Sequence, residues 1–175
     1  MTVNLKQTIR SVPDFPKKGI VFRDITTLLK DREAFASAVN TILEHFQGMQ
    51  IDKVVGIESR GFILGATLAY KLGAGFVPVR KPNKLPAQKI RQEYSLEYGT
   101  DAVEMHKDAV GPGDRILIHD DLLATGGTAL AACRLVEQAG GKILGLSFLV
   151  ELSFLGGRGK LGMYHIHSVI NYDSE

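Results

Sequence analysis

The sequence predicts an α/β fold: an open, mostly parallel twisted sheet with helices on both faces, plus a small hood or cap. Three observations predict it. Four short apolar runs have strand length: KVVGI at Lys53–Ile57, GFVPV at Gly75–Val79, RILIH at 115–119 and KILGLSFLV at 142–150. Such runs read as strands buried on both faces. Segments of helical period lie between them, and strand–helix–strand order argues for parallel pairing through right-handed crossovers. The length, 175 residues, fits one domain over 1–175.

Taken in order, residues 1–30 lie outside the alternating pattern and are expected to form the hood. A helix is expected over 31–46, with Asp31 as N-cap and Phe35, Val39, Ile42, Leu43 and Phe46 recurring on its buried face. Strand Lys53–Ile57, helix Gly61–Leu72 and strand Gly75–Val79 follow. Residues 81–91 are basic, contain Pro82 and Pro86 and show no clean period, so they read as a loop. Residues 94–103 alternate loosely, as a hairpin turning at Tyr98-Gly99-Thr100 would. Together 81–103 are expected to form a mobile loop. Gly111-Pro112-Gly113-Asp114 is a turn, and RILIH the clearest buried strand. A helix from about 128 to 139 should end at Gly140-Gly141. Strands over 142–150 and 165–170 complete the chain.

Composition excludes several classes. Hydrophobic residues make up 45% and charged residues 23%, which excludes disorder over most of the chain. The 21 basic and 19 acidic side chains leave a net charge of +2, too mild to suggest nucleic acid as a partner. The longest apolar stretch, 143–150, is far short of a membrane span, so no membrane association is expected. The start, MTVNLKQTIR, has no apolar core, so no signal peptide is expected. The single cysteine, Cys133, cannot form an internal disulfide. That fits a reducing compartment, and a cytoplasmic location is expected. Mid-helix between Ala132 and Arg134, Cys133 reads as a small core residue.

In open α/β sheets, ligands sit beyond the carboxyl ends of the strands. One such end carries Asp120, Asp121, Leu122, Leu123, Ala124, Thr125, Gly126, Gly127 and Thr128. The glycines let backbone N–H groups approach an anion, the threonines add hydroxyl donors, and the next helix directs its positive end there. That asks for a phosphate. The two aspartates would repel it and need a vicinal diol or a bridging cation; a sugar phosphate offers diol and phosphate together. Known phosphate motifs fail: Gly56 and Gly61 have the P-loop glycine spacing but lead into Phe62-Ile63, and Gly73-Ala74-Gly75 meets Pro78 where a dinucleotide fingerprint needs glycine. A second end, Glu58-Ser59-Arg60-Gly61, offers a guanidinium, a hydroxyl and a helix start, all suited to an anion.

The pattern of an apolar strand, two acids and A-T-G-G-T resembles the phosphoribosyl pyrophosphate (PRPP) signature of type I phosphoribosyltransferases. Further segments resemble the adenine phosphoribosyltransferase family: PDFPKKGIVFRDIT (13–26), VVGIESRGFILG (54–65), VRKPNKLP (79–86), YSLEYGTD (94–101), HDDLLATGGT (119–128) and LVELSFLGGR (149–158). The resemblance implies the type I phosphoribosyltransferase fold. It also implies transfer of the phosphoribosyl group from PRPP to adenine, giving AMP and pyrophosphate with Mg²⁺ carried by the phosphates. Asp120 and Asp121 would hold the ribose hydroxyls. Ala124, Thr125, Gly126, Gly127 and Thr128 would hold the 5′-phosphate.

The same resemblance assigns pyrophosphate to Ser59, Arg60, Arg80 and Lys84, with a cis peptide at Glu58–Ser59. Arg80 would reach the neighbouring site of a homodimer. Adenine would meet Val21, Phe22, the Arg23 backbone and Leu122. Glu97 would be the general acid–base, with Glu104 its nearest rival, and Tyr98 would cover the reaction centre. Lys89 and Arg91 read as solvated charges. His119 departs from the aliphatic residue the family usually has there and reads as a partly buried, hydrogen-bonded histidine; His165 and His167 would share one face of a strand. Two other readings compete: a PRPP-sensing regulator on the same fold, and transfer to another purine.

Overall fold

A computed structural model describes residues 3–95 and 99–175. In chain order the elements are α1 (Leu5–Thr8), β1 (Arg10–Val12), β2 (Phe22–Asp24), α2 (Thr26–Leu29), α3 (Arg32–His45), β3 (Lys53–Ile57), α4 (Gly61–Leu72), β4 (Gly75–Val79), β5 (Lys89–Ser95) and β6 (Thr100–His106). They continue with β7 (Arg115–Leu123), α5 (Gly127–Gln138), β8 (Lys142–Leu152), a 3₁₀ turn (Ser153–Leu155), α6 (Gly157–Lys160) and β9 (Ile166–Tyr172). The central sheet is all parallel, ordered β4-β3-β7-β8-β9. Two antiparallel pairs, β1-β2 and β5-β6, stand apart from it.

Period-two alternation divides the core. Val55, Ile57, Ile116 and Ile118 point to the face covered by α5 and the β5-β6 pair, where Cys133 is fully buried. Val54 and Leu117 point to the other, against α3, α4 and the N-terminal Ile9, Ile25 and Leu28. Helices therefore cover both faces, as expected. α3 starts as its sequence dictates: the Asp31 carboxylate accepts from the N–H groups of Glu33 (3.0 Å) and Ala34 (2.9 Å). α5 ends in a Schellman motif, with Gly140 N–H donating to Glu137 O, Gly141 N–H donating to Val136 O and Gly140 at φ +86.

Several boundaries differ from expectation. β7 does not stop at His119 but runs through both aspartates to Leu123, because its backbone keeps pairing with β8 (Asp120 with Phe148, Leu122 with Val150). The segment 81–91 is not all loop: β5 begins at Lys89 and the hairpin extends to His106. Its alternation is polar, with only Ile90 and Tyr94 packed on the core, so no apolar run announces it. The last strand starts at Ile166, one residue after His165. His119 is wholly rather than partly buried; its Nδ1 lies 2.8 Å from Ser147 Oγ, and burial pushes its pKa down to about 3. His165 and His167 do share a face, and both rings lie against His45, 4.9 and 3.9 Å between centroids. Among the described residues no helix is long and apolar enough to cross a membrane.

Candidate active site

At the carboxyl ends of β3 and β7 lies a cavity of about 490 Å³, a size suited to a small ligand. One wall is the end of β7 and the bend that follows. Gly126, at φ +78, turns the chain into α5, and a Cβ on it would lie 2.7 Å from Gly157 O. Thr125, Gly126, Gly127 and Thr128, at the start of α5, border the same space, where a helix start leaves N–H groups without intrahelical partners.

The aspartates sit where α4 begins. A Cβ on Gly61 would stand 2.9 Å from Asp120 Oδ1 and 3.1 Å from His119 O, so only glycine lets the β3–α4 loop come this close. The Asp121 N–H donates to Asp120 Oδ1 at 2.8 Å. Asp121 is 5% exposed. Its Oδ2 lies 2.9 Å from Arg60 Nε but off the hydrogen-bond direction, leaving that oxygen without a hydrogen-bond partner. Burial, then the charge of Asp121, pushes the Asp120 pKa well above the usual carboxylate range. Burial also raises that of Asp121, against the pull of Arg60.

The opposite wall is built from ion pairs. The Glu58–Ser59 peptide is cis, as expected. Glu58 accepts from the Lys81 N–H at 2.7 Å and from Arg80 Nε at 3.2 Å. Burial works against its charge, but these donors and nearby Lys84 hold its pKa below the usual range. Lys81 Nζ donates to Tyr94 Oη at 2.6 Å and to Asp101 Oδ2, tying the cavity wall to the β5-β6 pair. Burial disfavours the Lys81 charge, yet its bonds to Asp101 and Tyr94 hold its pKa above the ordinary value. The Arg60 guanidinium lies 5.0 Å from the centroid of the Phe22 ring, a cation–π distance.

The cavity thus gathers Phe22, Ser59, Arg60, Leu122, both aspartates and the whole bend from Ala124 to Thr128. Val21, Arg23, Arg80 and Lys84 are not among its lining residues. The Arg23 side chain turns away, over the Tyr172 ring at 4.0 Å and onto Ser11 Oγ at 2.5 Å. Glu97 and Tyr98 lie outside the described residues. Their neighbours Tyr94 and Ser95 reach the start of α5: a Cβ on Gly127 would lie 3.3 Å from Tyr94 Cδ2 and 3.4 Å from Ser95 O. Glu104, the rival acid, is buried and accepts from the Asn83 N–H at 3.0 Å. Lys89 approaches Glu104 Oε2 at 3.9 Å, and Arg91 pairs with Glu93 at 3.1 Å.

Sequence reasoning placed Glu58 at the second strand end but gave neither it nor Lys81 a role, and both line the cavity. Lys81 lies just past the carboxyl end of β4, and that position was the available signal.

Sugar-phosphate chemistry on a parallel sheet defines a class, and comparison bears it out: a model of the phosphoribosyl transferase domain matches residues 26–159. An adenine phosphoribosyltransferase of Solibacter usitatus is 58% identical over 97% of this chain and 98% of its own. One from Alkaliphilus metalliredigens is 55% identical over 97% and 100%. The crystal structure of the enzyme from Thermoanaerobacter pseudethanolicus superposes with a TM-score of 0.93 at 54% identity, covering 96% of this chain and 98% of that one. The Giardia lamblia enzyme complexed with 9-deazaadenine does so with a TM-score of 0.92 at 42% identity, over 98% and 97%. The chain belongs to the adenine phosphoribosyltransferase family.

Proposed function

We propose that Asp120, Asp121 and the bend Ala124, Thr125, Gly126, Gly127 and Thr128 hold PRPP while the N-terminal hood, residues 1–30, holds the base. The reaction is purine salvage: the 5-phosphoribosyl group passes from PRPP to adenine, giving AMP and pyrophosphate. The observation that carries this reading is the pairing, in one cavity, of two neighbouring carboxylates with an amide-rich bend at a helix start. The carboxylates accept from the 2′- and 3′-hydroxyls and face the positive charge that develops on the ribose as pyrophosphate leaves C1′. The bend grips the 5′-phosphate. Catalysis comes mainly from positioning and from charges fixed in advance.

Phe22 and Leu122 supply the apolar faces for adenine, with Val21 beside them and the Arg23 backbone reading its edge. Ser59, Arg60 and Lys84 receive the pyrophosphate. Arg80 serves the neighbouring site in a homodimer. Glu97 accepts the proton from adenine N7 as N9 attacks C1′ and returns it in the reverse direction; Tyr98 covers the centre. Among the described residues no group of three or more His, Cys, Asp or Glu side chains is placed to hold a metal ion. The hard carboxylate oxygens of Asp120 and Asp121 nonetheless suit Mg²⁺, which keeps most of its water and phosphate ligands. Mg²⁺ would neutralise charge on the departing pyrophosphate. The protein's setting is the cytoplasm.

A substrate panel tests the reading. Adenine, hypoxanthine, guanine and xanthine are each offered with PRPP and Mg²⁺ while pyrophosphate release is followed; release with adenine well above the others is expected. Hypoxanthine or guanine turning over faster would move the chain to another base, and no release with any base would leave only a PRPP-sensing role. Glu97→Gln should lower kcat by about 10²–10⁴ while PRPP affinity changes little; unchanged kcat removes Glu97 from the chemistry.

A further inference from the structure

The bend assigned to the 5′-phosphate leans on a part of the chain with no role so far, the turn between β8 and β9. A Cβ on Gly157 would stand 2.1 Å from Ala124 O and 2.9 Å from Gly126 N, and a Cβ on Gly126 would stand 2.7 Å from Gly157 O. Two glycines thus meet backbone to backbone directly behind the bend. Gly156 and Gly126 have φ of +68 and +78, but Gly157 is not in the left-handed region. Its backbone would accept any residue; the contacts with the Ala124 and Gly126 backbone demand glycine.

The turn is pinned at both ends to the last two strands. At one end the single Ser153 hydroxyl proton is shared between Asp173 Oδ1 (2.8 Å) and Tyr172 O (3.1 Å). At the other, Arg158 grips the buried Glu151 with two bonds, Nε to Oε1 at 2.9 Å and Nη2 to Oε2 at 2.6 Å, and Ser168 Oγ donates to the same carboxylate at 2.6 Å. A bidentate pair of this kind fixes direction as well as distance. The β8-β9 frame therefore fixes Gly157, and Gly157 limits how far the bend can retreat.

We propose that Gly157, anchored by the Arg158–Glu151 pair, is the backstop of the phosphate-binding bend and thus a positioning residue for PRPP. The proposal rests on the reading of that bend as the 5′-phosphate site. An added methyl must push the bend inward by about an ångström, since 2.1 Å is far inside ordinary contact. Displacements of that size at a substrate-positioning element cost up to about a hundredfold. The adenine side of the cavity is untouched.

The test measures ribose 5-phosphate affinity by calorimetry and steady-state constants for Gly157→Ala, Arg158→Lys and Ser168→Ala. Gly157→Ala should weaken ribose 5-phosphate binding and raise KM for PRPP by about tenfold or more, with kcat changed less than about threefold. Arg158→Lys, which keeps the charge but loses the fork, should move the same constants the same way by a smaller factor. Parental affinity in Gly157→Ala overturns the proposal. If that variant does not fold, parental affinity in both Arg158→Lys and Ser168→Ala overturns it instead. The double variant Thr125→Val/Thr128→Val separates the two readings. If it binds ribose 5-phosphate like the parent, the bend is not the phosphate site and both readings fall. If it loses binding while Gly157→Ala does not, only the backstop falls.

Discussion

The two walls of the cavity prepare for anions in opposite ways. The β7 wall presents a bend from Ala124 to Thr128 backed by glycine contacts, and among the described residues its opposing charges are the carboxylates of Asp120 and Asp121. The β3–β4 wall presents cations already paired with the chain's own acids, Arg60 with Asp121 and Lys81 with Asp101, while Arg80, which does not line the cavity, holds Glu58. One wall is pre-formed for its ligand; the other must exchange partners to receive one. The monoester of a sugar phosphate suits the first, and the larger charge of pyrophosphate can compete for the second.

Breaking the pre-formed wall should have the largest effect. On the proposed reading Asp120→Asn removes a carboxylate that faces the developing ribose charge, and kcat/KM should fall by about 10²–10³. The same change should stabilise the free protein. The folded-state pKa of Asp120 is raised by burial and by the charge of Asp121, so its contribution to stability is present at low pH and lost as pH rises through that pKa. An amide cannot ionise, so the midpoint of unfolding in urea at neutral pH should rise. Loss of activity together with loss of stability would show that Asp120 serves the fold rather than the ligand.

The exchanging wall should be less sensitive. On the same reading Arg60→Ala removes a cation that would receive pyrophosphate but also frees Asp121, so the affinity for pyrophosphate in the reverse reaction should drop by about ten- to hundredfold. A drop as large as that of Asp120→Asn would erase the distinction between the walls.

How much of this was legible depends on whether the signal was local. The segments Lys53–Ile57, Gly61–Leu72 and Gly75–Val79 were readable to the residue because apolar runs, a helical period and Gly73 punctuate them. That Ala124 to Thr128 would border a cavity at the strand ends was readable because those residues are contiguous. β5 was not: KIRQEYS is polar and packs by one face only. The strand character of Asp120–Leu123 was hidden because acids read as loop, while the ladder to β8 is a property of two segments. Gly157 was invisible for the same reason, since its contact is with a distant bend. The ion pairs of Glu58 and Lys81 likewise arise only once β3, β4 and β6 lie side by side.

Beneath the β7 wall, His119 and Ser147 join β7 to β8 inside the core. The folded-state pKa of His119 is lowered from 6.5 to about 3, so the histidine is neutral in the fold while the unfolded chain takes up a proton below about 6.5. Its contribution to stability is complete above that pH and is lost as pH falls towards 3. Between pH 7 and about pH 4.5 that loss amounts to about 2–3 kcal/mol. His119→Val with Ser147→Ala should remove it: urea midpoints at the two pH values should differ less than in the parent, with activity at neutral pH retained. An equal acid sensitivity in both would place the acid-labile group elsewhere.

The smallest effect should come from Glu58→Gln, and its sign separates two roles. The Glu58 carboxylate borders the cavity, where its charge repels an incoming anion, and it accepts from Arg80 and the Lys81 amide. Glutamine keeps an acceptor oxygen for both donors but removes the negative charge. If the ion pairs on this wall are held in reserve for exchange, pyrophosphate should bind more tightly by about two- to fivefold, in a salt-dependent way. Inhibition of the forward reaction by pyrophosphate measures this directly. Weaker inhibition would mean that Glu58 is the anchor that keeps Arg80 and Lys81 in place, and that this wall too is pre-formed.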